Sequence, residues 1–271
     1  MRWTPAESGH DATLTRAFAR CLPGGRLGGP LQAYRSAEST QALARAWADA
    51  GAPEGAVVLA DYQGAGRGRR GRSWTAPPGC ALLLSLVLRP RLPVSRWPEI
   101  PLAAGCAVAE AVEAVAPVVV RLKWPNDVLV AGRKLAGILA EGVPGSSASV
   151  ILGIGVNVSQ RQGDWPADLA KSACSLASLG ASVSRESVLA TLLARVAAWY
   201  GVLLDVGFEP VRAAWRRRGL LGTRIALAEG AGTSVGLGPG GQLVVRRDDG
   251  HLTLLVAPSE RHAEESRAGS R

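Results

Sequence analysis

Apolar positions along the chain alternate between two spacings. Continuous or every-second-residue apolar runs at 31–35, 56–62, 80–88, 118–123, 133–141 and 150–158 read as strands of a sheet covered on its faces. Between and after them the spacing changes to that of amphipathic helices. One runs from Ser39 or Thr40 through Leu43, Ala46 and Trp47 to Gly51, and another over 101–115 turns Leu102, Cys106, Ala109 and Val112 to one side. The longest covers 185–206 with Val188, Leu192, Val196 and Trp199 inward, and a further helix covers 208–218. Asp11 can cap a short helix through Leu14, Ala17, Phe18 and Cys21, which Pro23-Gly24-Gly25 ends. The stretch 164–180 is irregular apart from a short helix near 175–179.

Beyond Gly219 the pattern shifts to short β-like runs at 224–228, 233–237, 243–247 and 252–256, separated by glycine-rich turns and Asp248-Asp249-Gly250. This predicts a small barrel of the SH3 type. The expected organisation is an N-terminal helical extension (1–30), a main α+β domain (31–219), the small C-terminal domain (220–257) and a polar tail (258–271).

Composition narrows the classes of function. With 47% hydrophobic and 20% charged residues the chain is neither disordered nor membrane-like, and its apolar runs fall short of the roughly 18 residues of a spanning helix. The N-terminal residues show no secretory h-region. Cys21, Cys80, Cys106 and Cys174 are scattered, which argues against a zinc site or a disulfide framework and fits a reducing cytoplasm. The formal charge of +9 invites a nucleic-acid reading, but few aromatics interleave with the basic residues, so stacking platforms for a single strand are missing. The single helical stretch before residue 31 is too little for a helix-turn-helix domain.

The candidate chemistry concentrates in a few places. Four glycines and four arginines crowd the span from Gly64 to Arg72, between two expected strands. Glycines permit positive φ and close approach of a ligand, and guanidinium groups suit carboxylate and phosphate oxygens. This predicts a loop that closes over a phosphorylated or carboxylated small molecule, with a solvated basic linker or RNA tether as the alternative. Ser39 and Thr40 stand where a helix begins, and either caps it or offers donors to a ligand. Asn126 and Asp127 suit a turn after Trp124-Pro125. Lys134 stands at the start of a strand, where its ammonium is expected to be mobile enough to meet a substrate. Gly137 in mid-strand marks a close approach, and Gly153 and Gly155 leave one strand face bare, as a slot for a flat or extended ligand needs.

The order of these motifs carries more than each alone. Glu-Ser-Thr at 38–40, Gln63 with Gly-Arg-Gly-Arg-Arg-Gly-Arg at 66–72, Lys-Trp-Pro-Asn-Asp at 123–127, Lys-Leu-Ala-Gly-Ile-Leu at 134–139 and Gly-Ile-Gly-Val-Asn at 153–157 together resemble the biotin protein ligases. The resemblance extends over about residues 33–256, and the chain looks like the monofunctional form without an N-terminal DNA-binding domain. It implies an α+β catalytic domain at 31–219, a mixed sheet with flanking helices like that of class II aminoacyl-tRNA synthetases, followed by the SH3-like domain. It further implies that biotin and MgATP give biotinyl-5′-AMP, whose acyl group passes to a lysine of a biotin carboxyl carrier domain of an acyl-CoA carboxylase.

Carried over position by position, the resemblance implies Lys134, Arg67 and Asp127 as the catalytic set. It implies biotin contacts at Ser39, Thr40, Gln41, Gln63, Arg67, Gly68, Arg69, Lys134, Gly137 and Gly155. For the adenylate it implies Arg69, Arg70, Arg72, Trp74, Asn126 and Asn157, with Asn126 open to a nucleotide or a metal role and no set of protein metal ligands. A cytoplasmic enzyme, monomeric or weakly dimeric, is expected, with no DNA or membrane partner. The sequence around 257–262 departs from the family's usual ending, so no contact is carried over there. A lipoate or octanoate ligase of the same fold is the nearest alternative, and a non-catalytic nucleic-acid-binding module the alternative of another class.

Overall fold

The long apolar runs join into one sheet in the computed structural model, which describes residues 9–22, 24–143, 148–228 and 230–257. Its strands are β1 (Leu31–Tyr34), β2 (Val57–Ala60), β3 (Ala81–Leu88), β4 (Val120–Lys123), β5 (Asp127–Val130), β6 (Arg133–Val143) and β7 (Ser149–Asn157). Among the described residues they lie in the order β1-β2-β3-β7-β6-β5-β4, with β1 and β2 parallel and the other neighbours antiparallel. The sheet is therefore mixed, as expected. All eight positions of β3 are buried because both its faces are covered.

One face carries α3 (Ile100–Val115) and α4 (Arg185–Asp205), which pack on each other, with α5 (Phe208–Arg218) against both. Leu82, Leu84, Leu86 and Leu88 of β3 point into this main core. Among the described residues α4 alone is long and apolar enough to cross a membrane by length and composition, which the count of continuous apolar runs had not signalled. Here Leu189, Leu192, Val196 and Leu203 are buried in the core. The opposite face carries α2 (Thr40–Asp49), which covers only part of the sheet, over β2, β3 and β7. The rest of that face is where the candidate chemistry gathers.

The expected N-terminal helix is α1 (Ala12–Ala19), and Asp11 caps it, its Oδ1 accepting from the Leu14 amide at 2.7 Å. The extension is docked on β1 through Leu14 and Phe18, which join the main core, and through the Asp11 amide donating to the Ala33 carbonyl at 2.9 Å. Its first eight residues lie outside the described ones, as does the expected polar tail 258–271.

At the C-terminal end β8 (Arg224–Ala226), β9 (Ala231–Leu237), β10 (Leu243–Arg247) and β11 (Leu252–Leu255) form a small antiparallel sheet in the order β11-β10-β9-β8. It is not an independent core: Leu237, Leu243 and Val245 belong to the main cluster. Trp124 also reaches it, its Nε1 donating to the Gly241 carbonyl at 3.0 Å.

Candidate functional site

Register puts a bare strip in the middle of the open sheet face. Directly opposed residues of neighbouring antiparallel strands share a face, and Leu83, Gly155, Gly137 and Asp127 are partners in one row across β3, β7, β6 and β5. The next row is Ser85, Gly153 and Leu139. Two adjacent glycines thus leave a groove one side chain deep.

The Trp74 indole lies in that groove. A Cβ at Gly137 would stand 2.8 Å from its Cζ3, and one at Gly155 2.7 Å from its Cε2. Neither position accepts a side chain while Trp74 is there. The indole Nε1 is buried without a hydrogen-bond partner among the described residues, and a buried donor left so is costly unless something else meets it.

Asp127 closes the groove on the β5 side, and Lys134 joins it. The Lys134 Nζ is 2.6 Å from Asp127 Oδ1 and 5.5 Å from the centroid of the Trp74 ring. Strict alternation would point Lys134 and Gly137, three residues apart, to opposite faces. A bulge resolves this: Val128 pairs with Ala136 but Leu129 with Lys134, so one extra residue of β6 is accommodated and the face switches. The lysine's backbone is clamped as well, with its amide donating to the Ser172 carbonyl at 2.7 Å and its carbonyl accepting from the Cys174 amide at 2.9 Å. The ammonium is ion-paired with Asp127 and still part-exposed.

The two asparagines are turned into the protein. Asn126 Nδ2 donates to the Ile138 carbonyl at 2.9 Å, tying the turn to β6 rather than to its own backbone. Asn157 is buried, donating to the Cys174 carbonyl at 2.9 Å and accepting from Gln160 Nε2 at 3.0 Å.

The Gly/Arg loop is a narrow hairpin. Trp74 N donates to the Gly66 carbonyl at 2.9 Å and Gly68 N to the Arg72 carbonyl at 2.7 Å. Gly66 is required by close approach, since a Cβ there would collide with the Trp74 carbonyl. Of the loop glycines, Gly71 is the one at positive φ, +70°, and at the tip Arg70 itself takes +58°. Arg67 reaches back to β6, its Nη2 3.2 Å from Glu141 Oε1, while Arg70 and Arg72 are exposed and Arg69 is half-buried.

At the other side of the groove, where α2 begins, lies a buried polar cluster. Gln63 Oε1 accepts from the Thr40 amide at 2.7 Å and lies 3.0 Å from Thr40 Oγ1. Thr40 Oγ1 is 2.9 Å from Ser85 Oγ, which donates to Gln41 Oε1 at 2.9 Å, and Gln41 Nε2 donates to the Ile151 carbonyl at 2.9 Å. Ser39 occupies the N-cap position but makes no capping bond, and its buried Oγ has no partner among the described residues. Capping therefore does not explain it.

The structure thus brings Ser39, Thr40, Gln41, Gln63, Trp74, Asp127, Lys134, Gly137 and Gly155 around one groove, with Arg67, Gly68, Arg69, Arg70 and Arg72 on the hairpin that carries Trp74, and Asn126 and Asn157 behind it. Sequence reasoning missed Ser85 and Glu141. Ser85 was legible as the single hydroxyl in an otherwise apolar strand, and Glu141 as an acid ending one.

Residues 33–157, which hold these groups apart from the surrounding frame, match the model of the biotin/lipoate A/B protein ligase family. The chain belongs to that family. Among its relatives is the biotin–[acetyl-CoA-carboxylase] ligase of Mycobacterium tuberculosis, 40% identical over 234 residues, covering 80% of this chain and 80% of that protein. The bifunctional ligase/repressor BirA of Bacillus spizizenii is 36% identical over 230 residues, covering 82% of this chain and 71% of the relative. Among solved structures, the biotin protein ligase from Aquifex aeolicus in complex with biotin and ATP superposes with a TM-score of 0.73 at 29% identity, covering 84% of this chain and 95% of that one.

Proposed function

We propose that the chain is an ATP-dependent ligase that activates biotin as biotinyl-5′-AMP and transfers it to one lysine of a biotin carboxyl carrier domain. The observation that carries this reading is the glycine groove itself. Its floor is bare of side chains at Gly137 and Gly155 and filled by the Trp74 indole, with buried polar groups at one side and the Lys134–Asp127 pair at the other. That is the distribution of a flat polar ring, an apolar chain and a terminal carboxylate. Of the three buried polar side-chain atoms without a partner among the described residues, two, Ser39 Oγ and Trp74 Nε1, lie at this groove and fit a site that a ligand completes.

In this reading Ser39, Thr40 and Gln63 hold the ureido ring, with Gln41 behind them, and the ring and chain take the space over Gly137 and Gly155 that the Trp74 indole fills here, the indole moving aside with its hairpin. Lys134 neutralises the biotin carboxylate and the α-phosphate oxygens as one carboxylate oxygen attacks phosphorus and pyrophosphate leaves. Arg67, Gly68, Arg69, Arg70 and Arg72 wrap the adenylate, shielding the mixed anhydride from water. Asn126 and Asn157 serve the adenylate side in this reading, their Nδ2 atoms anchored on the Ile138 and Cys174 carbonyls. In the second step the carrier amine attacks the acyl carbon, AMP departs, and Asp127 orients the amine and takes its proton once Lys134 has turned to the phosphate.

Mg²⁺ would arrive on the triphosphate, whose oxygens and a carboxylate such as Asp127 are donors of the type it takes. Among the described residues no group of three metal-binding side chains stands together, which fits an ion brought by the nucleotide. Residues 31–219 form the catalytic unit in this reading, and 220–257 brace it through Trp124. The reaction belongs in the cytoplasm, where ATP and carboxylase subunits meet.

ATP–pyrophosphate exchange tests the reading. Exchange should depend on biotin and be absent with lipoate or with neither acid. Lipoate-dependent exchange would select the lipoate ligase instead, and no exchange with either would leave a binding module.

A further inference from the structure

The row of partners that floors the groove runs on past Asp127. Its neighbour on β4 is Lys123, so Leu83, Gly155, Gly137, Asp127 and Lys123 share one sheet face. Two residues back along β4, Arg121 points the same way, opposite Leu129. Burial follows the alternation: Val120 and Leu122 are buried in the main core, whereas Arg121 and Lys123 are exposed. β4 is the last strand of the sheet on this side. Lys123 thus stands one strand spacing, about 4.8 Å, beyond Asp127, and Arg121 about 7 Å further along the strand.

The charges of this strip are not spent within the protein. Arg121 Nη1 donates to the Arg217 carbonyl at 3.4 Å, which lays its guanidinium along the end of α5 and brings the exposed Arg217 into the same strip. A carbonyl leaves the charge of Arg121 uncompensated. Two acids of the neighbourhood are engaged elsewhere: Asp127 holds Lys134 at 2.6 Å, and Glu113, whose Oε1 accepts from the Val120 amide, holds Arg218 at 2.8 Å. Among the described residues Lys123, Arg121 and Arg217 have no carboxylate partner. Three uncompensated cations on one exposed strip attract an anionic partner and repel a cationic one.

In the second step of the proposed reaction the accepting amine comes to Asp127. The lysine that bears it has a four-carbon stem, so the carrier backbone stays outside the groove and the residues beside that lysine pass over β4. We propose that Lys123, Arg121 and Arg217 form a docking strip for an acidic protein surface, namely acids that flank the accepting lysine of the carrier domain. The inference rests on the ligase reading and deepens it, because it says where the protein substrate lies and what chemistry admits it. ATP is the other polyanion of the reaction, but in that reading its phosphates lie at Lys134 under the hairpin arginines, on the near side of Asp127. Exposed charges of this kind speed the encounter and sort partners more than they hold them.

Two variants at exposed positions test it, Arg121→Glu and Arg121→Glu/Arg217→Glu, with Lys123 left in place beside Asp127. Each is assayed for biotin-dependent pyrophosphate exchange, which needs no carrier, and for biotin transfer to a purified biotin carboxyl carrier domain at varied carrier and salt concentration. Exchange should stay within about twofold of wild type, because screened surface charges act weakly on the distant reacting atoms, and this also shows that the variants fold. KM for the carrier should rise about threefold in the single variant and about tenfold in the double one, with kcat changing less. Salt should raise that KM more steeply in the wild type than in the double variant. A carrier domain whose acids next to the accepting lysine are replaced by lysine should reverse the order, being modified better by the double variant than by the wild type. An unchanged carrier KM in the double variant, or no reversal with the altered carrier, overturns the docking strip while biotin-dependent exchange still supports the ligase. Exchange that falls as far as transfer assigns these cations to the nucleotide and overturns it too. A wild type without biotin-dependent exchange overturns the ligase reading and the strip together.

Discussion

Lys134 concentrates the chemistry at the scale of single residues. The bulge in β6 places it on the groove face, its backbone is clamped between Ser172 and Cys174, and Asp127 holds its ammonium at 2.6 Å. In the proposed reaction this charge would serve where two anions meet, and preorganised donors act mainly on the transition state. Lys134→Ala should therefore slow biotin-dependent pyrophosphate exchange by about a hundredfold or more, with a smaller effect on biotin binding. Exchange near the wild-type rate would remove the lysine from the mechanism. The identity of this lysine was legible because it precedes Leu-Ala-Gly-Ile-Leu in a strand-like run. Its ion pair was not, because the bulge that turns it toward Asp127 depends on pairing with β5 and leaves no local mark. Ser85 stands out as a lone hydroxyl in its strand, but its partners did not, because they come from α2, far away in sequence.

At the scale of elements, the strands were legible almost to the residue where both faces are buried, as in β3, since an unbroken apolar run has few other uses. The Gly/Arg loop was legible as a loop but not as a hairpin. Its ladder rests on backbone bonds between Gly66 and Trp74 and between Gly68 and Arg72, and no side-chain pattern announces these. The hairpin ties Trp74 and Arg67 into one unit, the first in the groove and the second on Glu141. A ligand entering the groove must displace or reorder that unit, and the exposed arginines then gain anionic partners. Limited proteolysis within 64–72 should accordingly be suppressed by biotin with MgATP and much less by either alone, and cleavage at an unchanged rate would count against ordering of the loop by the adenylate.

For the whole molecule, the decisive feature is coverage of the two sheet faces. α3 and α4 pack on one over β3 to β6 with α1 on β1, whereas α2 covers the other only over β2, β3 and β7. The motifs at 38–40, 63–74, 123–139 and 153–157 meet there because the order β3-β7-β6-β5 brings them side by side. The succession of motifs foretold the meeting, while the strand order that causes it, with β7 inserted between β3 and β6, could not be derived from the runs themselves. The C-terminal sheet shares the main core and holds Trp124, so it supports the turn that presents Asp127. Of the excess positive charge of +9, the four arginines of the 66–72 loop supply four.

In the proposed function this groove activates biotin for transfer to protein. Intact-mass and peptide analysis of a purified biotin carboxyl carrier domain, after incubation with the enzyme, tests it most directly. One biotinyl group on a single lysine is expected, formed only when biotin and MgATP are both supplied. A carrier domain left unmodified under those conditions, or modified as readily with lipoate, would contradict it.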